Sequence, residues 1–368
     1  MLTLTLYFFI VVVVIQLSYY LFVFGKFAFA KAQKSTPKKI PISVIVCAKN
    51  EAENVIRFIP LLAEQDYPDY EIILIDDASS DATLEIFEEF EKQYSNIRLV
   101  KVENNEAFWG NKKYALTLGI KASKKDYLLF TDADCYPASK DWITSMSSQF
   151  TMNKTIVLGY GAYEKIAGSF LNKIIRFETM LTAVQYFSWA KIGRPYMGVG
   201  RNLAYKKDEF FKVNGFIDHM KIRSGDDDLF INQASKANNT TCCYSPDSFT
   251  YSKPKMTFKD WVTQKKRHVA TATFYKSFDR VQLSVFFISQ ILFLLLPIIL
   301  LAFQYQWIVV LSIIGFRYLF TWIILGFSAG KLKEKDVMYW FPIIEIVLIF
   351  TQMNIFVSNI FSKPVHWK

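Results

Sequence analysis

Four long apolar stretches constrain the fold of this chain more than any other feature of its sequence. They cover roughly Tyr7–Phe24, Leu283–Phe303, Trp307–Phe327 and Met338–Phe361. Each comes close to the ~20 residues with which an α-helix crosses the hydrocarbon core of a bilayer. The chain is 52% hydrophobic and carries a formal net charge of +10, a combination that is typical of a membrane protein with basic flanks. We therefore predict a multi-pass membrane protein with one N-terminal and three C-terminal transmembrane helices.

Basic residues beside these stretches predict their orientation. The first stretch lacks a basic start, so we interpret it as an uncleaved span rather than a secretory signal. Lysines follow the first and third stretches, at Lys26, Lys31, Lys34, Lys38, Lys39, Lys331, Lys333 and Lys335. The positive-inside rule places both groups in the cytosol, which predicts a plasma (inner) membrane protein with a cytosolic central domain. The predicted organisation is a span at 1–25, a domain at 40–280 with an interfacial segment near 256–276, and spans at 281–363.

Two charged residues interrupt the C-terminal apolar stretches. Arg317 lies within the third stretch and Glu345 within the fourth. Charged side chains at membrane depth are costly and mark functional positions by default. The alternative is that Arg317 is a structural ion-pair partner or lines a helix interface, and the sequence leaves both open.

The central domain is predicted to be an α/β domain, because strand and helix patterns alternate along it. Apolar and β-branched runs predict strands at 42–47, 70–75, 98–102 and 127–130, and helical patterns cover 53–64, 81–93 and 112–122. Such alternation indicates a parallel sheet covered by helices on both faces. Ligands of these sheets bind beyond the carboxyl ends of the strands.

Three polar clusters fall at that edge of the predicted sheet. They follow the first, second and fourth strands and read Ala48-Lys49-Asn50-Glu51, Asp76-Asp77-Ala78-Ser79 and Thr131-Asp132-Ala133-Asp134. An Asp pair at a single strand end is more often a helix cap or a turn former. Three clusters on one edge instead favour a ligand site. Their carboxylates suit a hard divalent cation, Mg²⁺ or Mn²⁺, that shares its coordination sphere with substrate phosphates.

From Pro41 to about Tyr275, the order of motifs resembles the inverting family-two glycosyltransferases. These are membrane-bound enzymes with a GT-A fold and include hyaluronan, cellulose and ceramide sugar transferases. Besides the three clusters, the resemblance rests on Gly110–Leu116, Gly198–Tyr205, Ser224–Leu229 and Gln264–His268. It implies a Rossmann-like GT-A domain that binds a nucleotide sugar and transfers the sugar with inversion.

The resemblance implies a donor site at the strand ends. Contacts to the nucleotide base and ribose fall on Ala48, Asn50, Glu51 and Asp77. The diphosphate falls on Lys112, which aligns with the family's lysine better than Lys113 does. A lysine at a helix N-terminus suits a phosphate on physical grounds as well, and a solvated surface lysine is the alternative. In the family's Asp-x-Asp motif the first carboxylate, here Asp132, lies near the sugar and diphosphate, and the second, here Asp134, binds the metal.

Asp226 is the position to which the resemblance assigns the catalytic base. An inverting displacement needs one carboxylate opposite the leaving group, where it takes the proton of the acceptor hydroxyl. Counting back from Leu229 selects Asp226, but Gly225 stands where the family has Glu. The run of three aspartates leaves the register open to Asp227.

Two further segments carry the remaining predicted site residues. Gly198–Tyr205 resembles the family's Gly-x-Gly-x-Asn-x-Ala stretch, which places Gly200 and Asn202 on the acceptor side, with a ligand-free turn as the alternative. Gln264–His268 resembles Gln-x-x-Arg-Trp, with His268 in place of Trp. It implies a donor contact for Gln264, a catalytic contact of Arg267 with the diphosphate, and an acceptor-side position for His268. Plain membrane contact of an amphipathic segment is the other interpretation.

The prediction is therefore a metal-dependent inverting transferase that moves a sugar, most simply from a UDP-sugar, to a lipid or lipid-linked acceptor at the cytosolic membrane face. The predicted partners are the nucleotide sugar, a lipid or glycan acceptor and the membrane, with an oligomer as an option and no nucleic acid. Two alternatives stay open. One is a subunit of a processive exopolysaccharide synthase, and the other is a non-catalytic nucleotide-binding membrane scaffold.

Overall fold

A computed structural model describes residues 1–31, 36–103, 112–222 and 224–361. Its strands are β1 (Ile42–Ala48), β2 (Tyr70–Asp76), β3 (Ile97–Lys101), β4 (Tyr127–Asp132), β5 (Cys135–Pro137), β6 (Ile156–Leu158), β7 (Gly161–Tyr163), β8 (Leu203–Lys206), β9 (Thr240–Cys242) and β10 (Thr250–Ser252). Its α-helices are α1 (Leu2–Ser18), α2 (Gly25–Ala28), α3 (Ala52–Ala63), α4 (Thr83–Gln93), α5 (Lys112–Ala122), α6 (Trp142–Ser147), α7 (Phe170–Lys191), α8 (Lys207–Lys212), α9 (Asp228–Ala234), α10 (Phe258–Thr271), α11 (Ser277–Ala302), α12 (Trp307–Lys331) and α13 (Phe341–Phe361).

The chain forms two compact units. The helical unit comprises Met1–Lys31, Gly168–Ile192 and the described residues from Met256 onward. The sheet unit comprises the described residues of Ala32–Ala167 together with Gly193–Lys255. These units do not follow a continuous 40–280 range, because α7 and α10 pack with the apolar helices. The predicted range for the catalytic domain stays a prediction.

A seven-stranded sheet with the order β3-β2-β1-β4-β8-β6-β9 forms the centre of the sheet unit. The strands β3, β2, β1 and β4 run parallel, as the alternation of strands and helices predicts. β8 is antiparallel to both β4 and β6, so the sheet is mixed, and the prediction of a parallel sheet holds only for its first half. The later strands are only three or four residues long, so their apolar runs are too short to predict them as strands of the sheet.

Both faces of the central strands are buried, which explains their continuous apolar sequences. On one face Val44 and Leu74 pack against α3 and α6, with Trp142 fully buried among them. On the other face α5 lies directly on β2. Gly119 makes this approach possible, because a Cβ at that position would stand 2.1 Å from Cδ1 of Ile75. The close packing fixes the position of α5, whose first residues lie at the carboxyl edge of the sheet.

The helical unit contains four helical segments that are long and apolar enough to cross a membrane. They are Leu2–Ala28, Ser277–Ala302, Trp307–Lys331 and Lys335–Asn359. A π-helical stretch, Tyr19–Phe24, continues α1 into α2. The second and third segments form the predicted hairpin, and its tight turn holds Gln304 and Gln306 at φ of +48°. The predicted count of one N-terminal and three C-terminal apolar helices is confirmed for the described residues.

The two charges inside the apolar stretches form one ion pair. The Nη1 and Nη2 groups of Arg317 donate to Oε2 and Oε1 of Glu345 at 2.8 and 2.5 Å, and its Nε donates to Oε1 of Gln16 at 2.7 Å. Arg317 is 0% exposed. The guanidinium therefore links three of the apolar helices, which is the structural role that the sequence left open for Arg317.

Removing one partner of this pair should destabilise the helical unit. We expect Arg317→Met to cost about 3–5 kcal/mol, because it leaves the Glu345 carboxylate buried without its counter-charge. The double variant Arg317→Met/Glu345→Leu should be more stable than the single one, since no buried charge remains. Thermal unfolding of the detergent-solubilised protein measures both. A double variant less stable than Arg317→Met would mean that the pair does more than compensate charge.

Candidate active site

The polar clusters at three strand ends meet at one edge of the sheet, as their sequence positions predict. The parallel register pairs Ala48 with Asp76 across β1 and β2, and Cys47 with Asp132 across β1 and β4. The backbone N–H of Asp77 donates to the carbonyl of Ala48 at 2.9 Å, which extends the alignment beyond the strands. Side chains from distant parts of the sequence therefore share one site.

Asp76 and Asp77 present buried acceptor atoms at this edge. They are 3% and 5% exposed. Oδ1 of Asp76 and Oδ2 of Asp77 have no hydrogen-bond partner among the described residues. Burial, reinforced by Asp76, raises the pKa of Asp77, while Lys49 opposes the shift. An acceptor buried without a donor is costly, so these oxygens are available to donor groups of a bound ligand.

The loop that follows β1 lies beside these aspartates, and hydrogen bonds define its conformation. Asn50 has a φ of +55°, a left-handed conformation that asparagine tolerates better than most residues. Its Oδ1 accepts from the backbone N–H of Ser80 at 2.8 Å. The N–H of Glu51 donates to Oγ1 of Thr83 at 2.9 Å, and its carboxylate accepts from Nδ2 of Asn54 at 2.6 Å. Asn50 and Glu51 thus lie next to the aspartates, on a loop that hydrogen bonds define.

Lys112 connects two acidic segments that are far apart in sequence. Its Nζ lies 2.7 Å from Oδ1 of Asp132 and 3.2 Å from Oδ2 of Asp226. The side chains of Lys112 and Asp226 are each 12% exposed. Burial opposes the charge of the lysine, but the two carboxylates outweigh it and hold the pKa of Lys112 well above its usual value. The side chain of Lys112 is therefore largely shielded from solvent, and its predicted contact with a diphosphate stays a prediction.

A small cavity lies beneath this charged group. Its volume is about 20 Å³, which is room for about one water molecule. Its lining combines apolar residues of the sheet with the charged group: Ile45, Cys47, Lys112, Leu116, Phe130, Thr131, Asp132, Gly200, Leu203, Tyr205, Phe216, Asp226 and Asp227. The cavity thus brings apolar side chains of the sheet next to the charged group.

Asp226 and Asp227 have different surroundings. Oδ2 of Asp227 accepts from the N–H of Gly200 at 2.7 Å, and its Oδ1 accepts from the N–H of Asp228 at 2.8 Å as the N-cap of α9. Burial, with the neighbouring Asp226 and Asp228, raises the pKa of Asp227 to about 7. Such a pKa suits a general base, yet both oxygens already hold the backbone. Asp226 instead pairs with Lys112. The choice of the base between Asp226 and Asp227 stays a prediction.

The Asp-x-Asp segment offers a donor set for a divalent cation. One oxygen each from Asp132 and Asp134 and the Sγ of Cys135 all lie within 4.8 Å of one another. Burial, followed by the charges of Asp132 and Glu51, raises the pKa of Asp134. A cation would relieve this repulsion between carboxylates. The thiol is a poorer ligand for a hard ion, because burial and Asp134 raise the pKa of Cys135 well above its usual value. The oxygen donors therefore fit Mg²⁺ or Mn²⁺.

Arg201 is a site neighbour that the sequence pattern does not reveal. Its guanidinium donates to Oγ of Ser252 at 2.9 Å and to the carbonyl of Gly161 at 2.7 Å, and lies 4.3 Å from the ring centre of Tyr163. The charge of Asp134 is among the interactions that raise the pKa of Arg201 against its burial. Arg201 thus binds strands β7 and β10, and its charge interacts with that of Asp134. Its only sequence signal is its position between Gly200 and Asn202.

Comparison with known proteins identifies the family. The family model described as Glycosyl transferase family 2 matches residues 43–223. The model described as Glycosyl transferase family group 2 matches residues 149–351, which is more than half of the chain. This chain belongs to glycosyltransferase family 2. The predicted membership of a glycosyltransferase family is confirmed.

Curated relatives are similar to this transferase over part of their length. Glycosyltransferase AglE of Haloferax volcanii is 32% identical over 104 residues, 28% of this chain and 33% of that protein. The dolichyl N-acetyl-α-D-glucosaminyl phosphate 3-β-D-2,3-diacetamido-2,3-dideoxy-β-D-glucuronosyltransferase of Methanococcus voltae is 33% identical over 98 residues, 26% of this chain and 30% of that protein. The matches with the transferase therefore span about a third of each relative.

A solved structure shares the fold of the transferase. The mannosyltransferase PcManGT from Pyrobaculum calidifontis, in complex with GDP-Man and Mn²⁺, superposes with a TM-score of 0.59. The sequences are 16% identical, and the alignment covers 90% of this chain and 99% of that chain. The predicted GT-A fold is confirmed.

Two residues predicted to lie on the acceptor side, Gly200 and Asn202, differ in their contacts. Gly200 borders the cavity and binds Asp227 through its N–H. Asn202 is 0% exposed; its Oδ1 accepts from Nε1 of Trp142, and its Nδ2 donates to the carbonyls of Tyr160 and Ser248. Asn202 therefore links α6 to the chain segments that hold Tyr160 and Ser248. A direct contact of Asn202 with an acceptor stays a prediction that this geometry does not favour.

The Gln-x-x-Arg-His segment of the transferase lies on α10 in the helical unit. Gln264 and Arg267 are half-buried, and His268 is exposed. Lysines of the same helix bind neighbouring helices, since Lys265 pairs with Glu178 of α7 and Nζ of Lys266 lies 2.5 Å from Oγ of Ser358 on α13. The roles predicted for Gln264, Arg267 and His268 stay predictions.

Proposed function

We propose that the enzyme is a metal-dependent inverting transferase that uses a UDP-sugar and a lipid or lipid-linked acceptor at the cytosolic membrane face. The observation that carries the proposal is the meeting of Lys112, Asp132 and Asp226 at one cavity, with Asp134 beside them. At this cavity Lys112 can bind a diphosphate, and Asp132 and Asp134 can supply oxygen ligands to a metal. Asp226 is a further carboxylate that can accept a proton.

Lys112 is suited to exchange its partners when the donor binds. Its ammonium is shared between Asp132 and Asp226. A diphosphate that takes up the ammonium competes with the Asp226 carboxylate and leaves that carboxylate able to accept a proton. Mg²⁺ or Mn²⁺ held by Asp134, with Asp132 near the sugar, would offset the charge of the departing nucleotide diphosphate.

Asp226 supplies the base of the proposed displacement. The acceptor oxygen forms a bond to the anomeric carbon while the bond from that carbon to the diphosphate breaks, and Asp226 takes the hydroxyl proton. A single displacement of this kind inverts the configuration of the anomeric carbon. The anomeric coupling constant of the product, measured by NMR, tests this step, because retention would contradict it.

The proposed acceptor is supported by the apolar helices and by a relative. Four segments able to span a bilayer keep the enzyme beside lipids. The Methanococcus relative is named for a dolichyl phosphate-linked sugar as its acceptor. Membranes containing the enzyme should therefore transfer radiolabel from a UDP-sugar into an organic-solvent extract, in an amount that depends on enzyme. Transfer of label only from GDP-sugars would contradict the proposed UDP-sugar donor. Label found only in water-soluble polymer would contradict the proposed lipid acceptor.

The proposed orientation predicts where single cysteines react. Ser80 is exposed in the sheet unit, and Gln304 is exposed in the hairpin between α11 and α12. In a version without the native cysteines, Ser80→Cys should resist an impermeant thiol reagent in intact cells and react after lysis, because it lies in the cytosol. Gln304→Cys should react in intact cells. The reverse labelling of the two variants would place the sheet unit outside and exclude a cytosolic sugar donor.

A further inference from the structure

We propose that Lys113 is a positioning residue that holds the chain before Asp226 so that this carboxylate faces the cavity. The inference deepens the proposed function and rests on the assignment of Asp226 as the base. Lys113 follows the lysine predicted to bind the diphosphate, and neither the family motif nor the comparisons give it a role. Its contacts in the sheet unit carry the proposal.

The ammonium of Lys113 binds three backbone carbonyls of one segment. Its Nζ donates to the carbonyls of His219, Ile222 and Ser224, each at 2.8 Å. An ammonium has three protons to donate, so its geometry matches this set of acceptors. Lys113 is 1% exposed. A charge buried this deeply requires hydrogen bonds to be tolerated, and here the backbone before the base supplies them.

The last of these carbonyls lies immediately before the turn that aims Asp226. Ser224 is followed by Gly225, whose φ of +92° is a conformation that other residues rarely adopt. A Cβ on Gly225 would also stand 2.5 Å from Cδ1 of Leu229. The backbone of the turn is therefore restricted to few conformations. Lys113 holds the residue before the turn, Ser224, in place.

Successive lysines of α5 thus act on the same acidic segment in two ways. Lys112 touches the carboxylate of Asp226 at 3.2 Å, and Lys113 binds the backbone that leads to it. The helix that carries both is itself fixed against β2 through Gly119. The position of Asp226 relative to the strand edge is consequently set from α5 rather than by the segment alone.

Loss of the Lys113 ammonium should lower the turnover number strongly and weaken donor binding only slightly. A misplacement of about 1 Å in a reacting group can cost 10²-fold in rate. We expect Lys113→Met to lower kcat by about 10–100-fold on this basis. The KM for the donor should stay within twofold, since Asp226 contributes to the proton transfer and not to holding the nucleotide. A purely structural lysine would instead reduce the amount of folded enzyme and leave kcat per folded molecule unchanged.

Lys207→Met is the matched control. Lys207 is a half-buried lysine of the same unit whose Nζ also binds a backbone carbonyl, that of Ser123 at 2.7 Å. It should keep wild-type kcat. Thermal unfolding of both variants gives their folded fractions, and Lys113→Gln, which retains a side-chain donor, replaces Lys113→Met if the latter fails to fold.

A double variant separates the failure of this inference from failure of the proposed function. In an Asp226→Asn background, Lys113→Met should cause no further loss, because the group that it positions is already inactive. Folded Lys113→Met with wild-type kcat, alongside an inactive Asp226→Asn, overturns the role of Lys113 and leaves the base assignment intact. Full turnover by Asp226→Asn overturns the base assignment itself, and the positioning role of Lys113 with it.

Discussion

Replacing Asp134 with alanine is expected to abolish sugar transfer while the protein still folds and inserts. The substitution removes a hard oxygen ligand from the proposed metal site. A metal that stabilises the leaving group contributes several kcal/mol to the transition state, so the rate should fall by about 10²–10⁴-fold. The measurement is transfer of radiolabelled sugar by membranes that contain equal amounts of enzyme.

Folding should not suffer from this substitution. Asp134 lies among like charges: burial raises its pKa most, and the charges of Asp132 and Glu51 raise it further. Removing it relieves repulsion, so the unfolding temperature of Asp134→Ala should equal or exceed that of the wild type. Asp69→Ala is the matched control, because Asp69 is an exposed aspartate of the same unit that pairs with Lys125 at 2.6 Å.

Removing the metal from the wild type should give the same result as the substitution. A chelator should abolish transfer, and Mg²⁺ or Mn²⁺ should restore it in the wild type and in Asp69→Ala but not in Asp134→Ala. Full activity of Asp134→Ala in chelator-treated membranes would exclude a metal at this site.

Asp226→Asn is expected to lower turnover by about 10²–10⁴-fold, the range that is typical for loss of a general base. Donor binding should persist, because Lys112 keeps its contact with Asp132 and remains at the site. The measurement is kcat alongside equilibrium binding of the nucleotide sugar. Near-normal kcat in this variant would show that the base is another residue.

Asp227→Asn distinguishes the two possible registers. Both oxygens of Asp227 accept backbone N–H groups, and asparagine keeps only one acceptor oxygen because its amide nitrogen is a donor. Leaving one buried N–H without its partner costs about 1–3 kcal/mol, so this variant should unfold at a lower temperature and retain more turnover than Asp226→Asn. An inactive but fully stable Asp227→Asn, with an active Asp226→Asn, would move the base by one residue.

The first half of the sheet and the spans follow from local sequence patterns. β1, β2 and β4 have continuous apolar runs because helices cover both faces of the sheet, and such runs are visible without coordinates. The spans are visible because a bilayer requires ~20 apolar residues in succession. Parallel strands also end at a common edge, so the meeting of Asp77 and Asp132 at one edge could be predicted.

The direction of β8 could not be predicted. Side chains alternate between the two faces of a sheet with the same period whichever way the strand runs. The different surroundings of Asp226 and Asp227 could not be predicted either. Adjacent aspartates are chemically identical in sequence. The contacts of Asp227 with the N–H groups of Gly200 and Asp228, and of Asp226 with Lys112, distinguish them.

The sequence by itself determined the apolar spans, the alternating strands and helices, and the acidic strand ends, because each depends on residues that are neighbours along the chain. The tertiary structure alone decided the contacts between distant segments. It paired Arg317 with Glu345, placed Lys112 between Asp132 and Asp226, and turned Lys113 toward the backbone before Asp226. Such contacts depend on how α5 packs on β2 and on the path of the loop before α9, which no local pattern specifies.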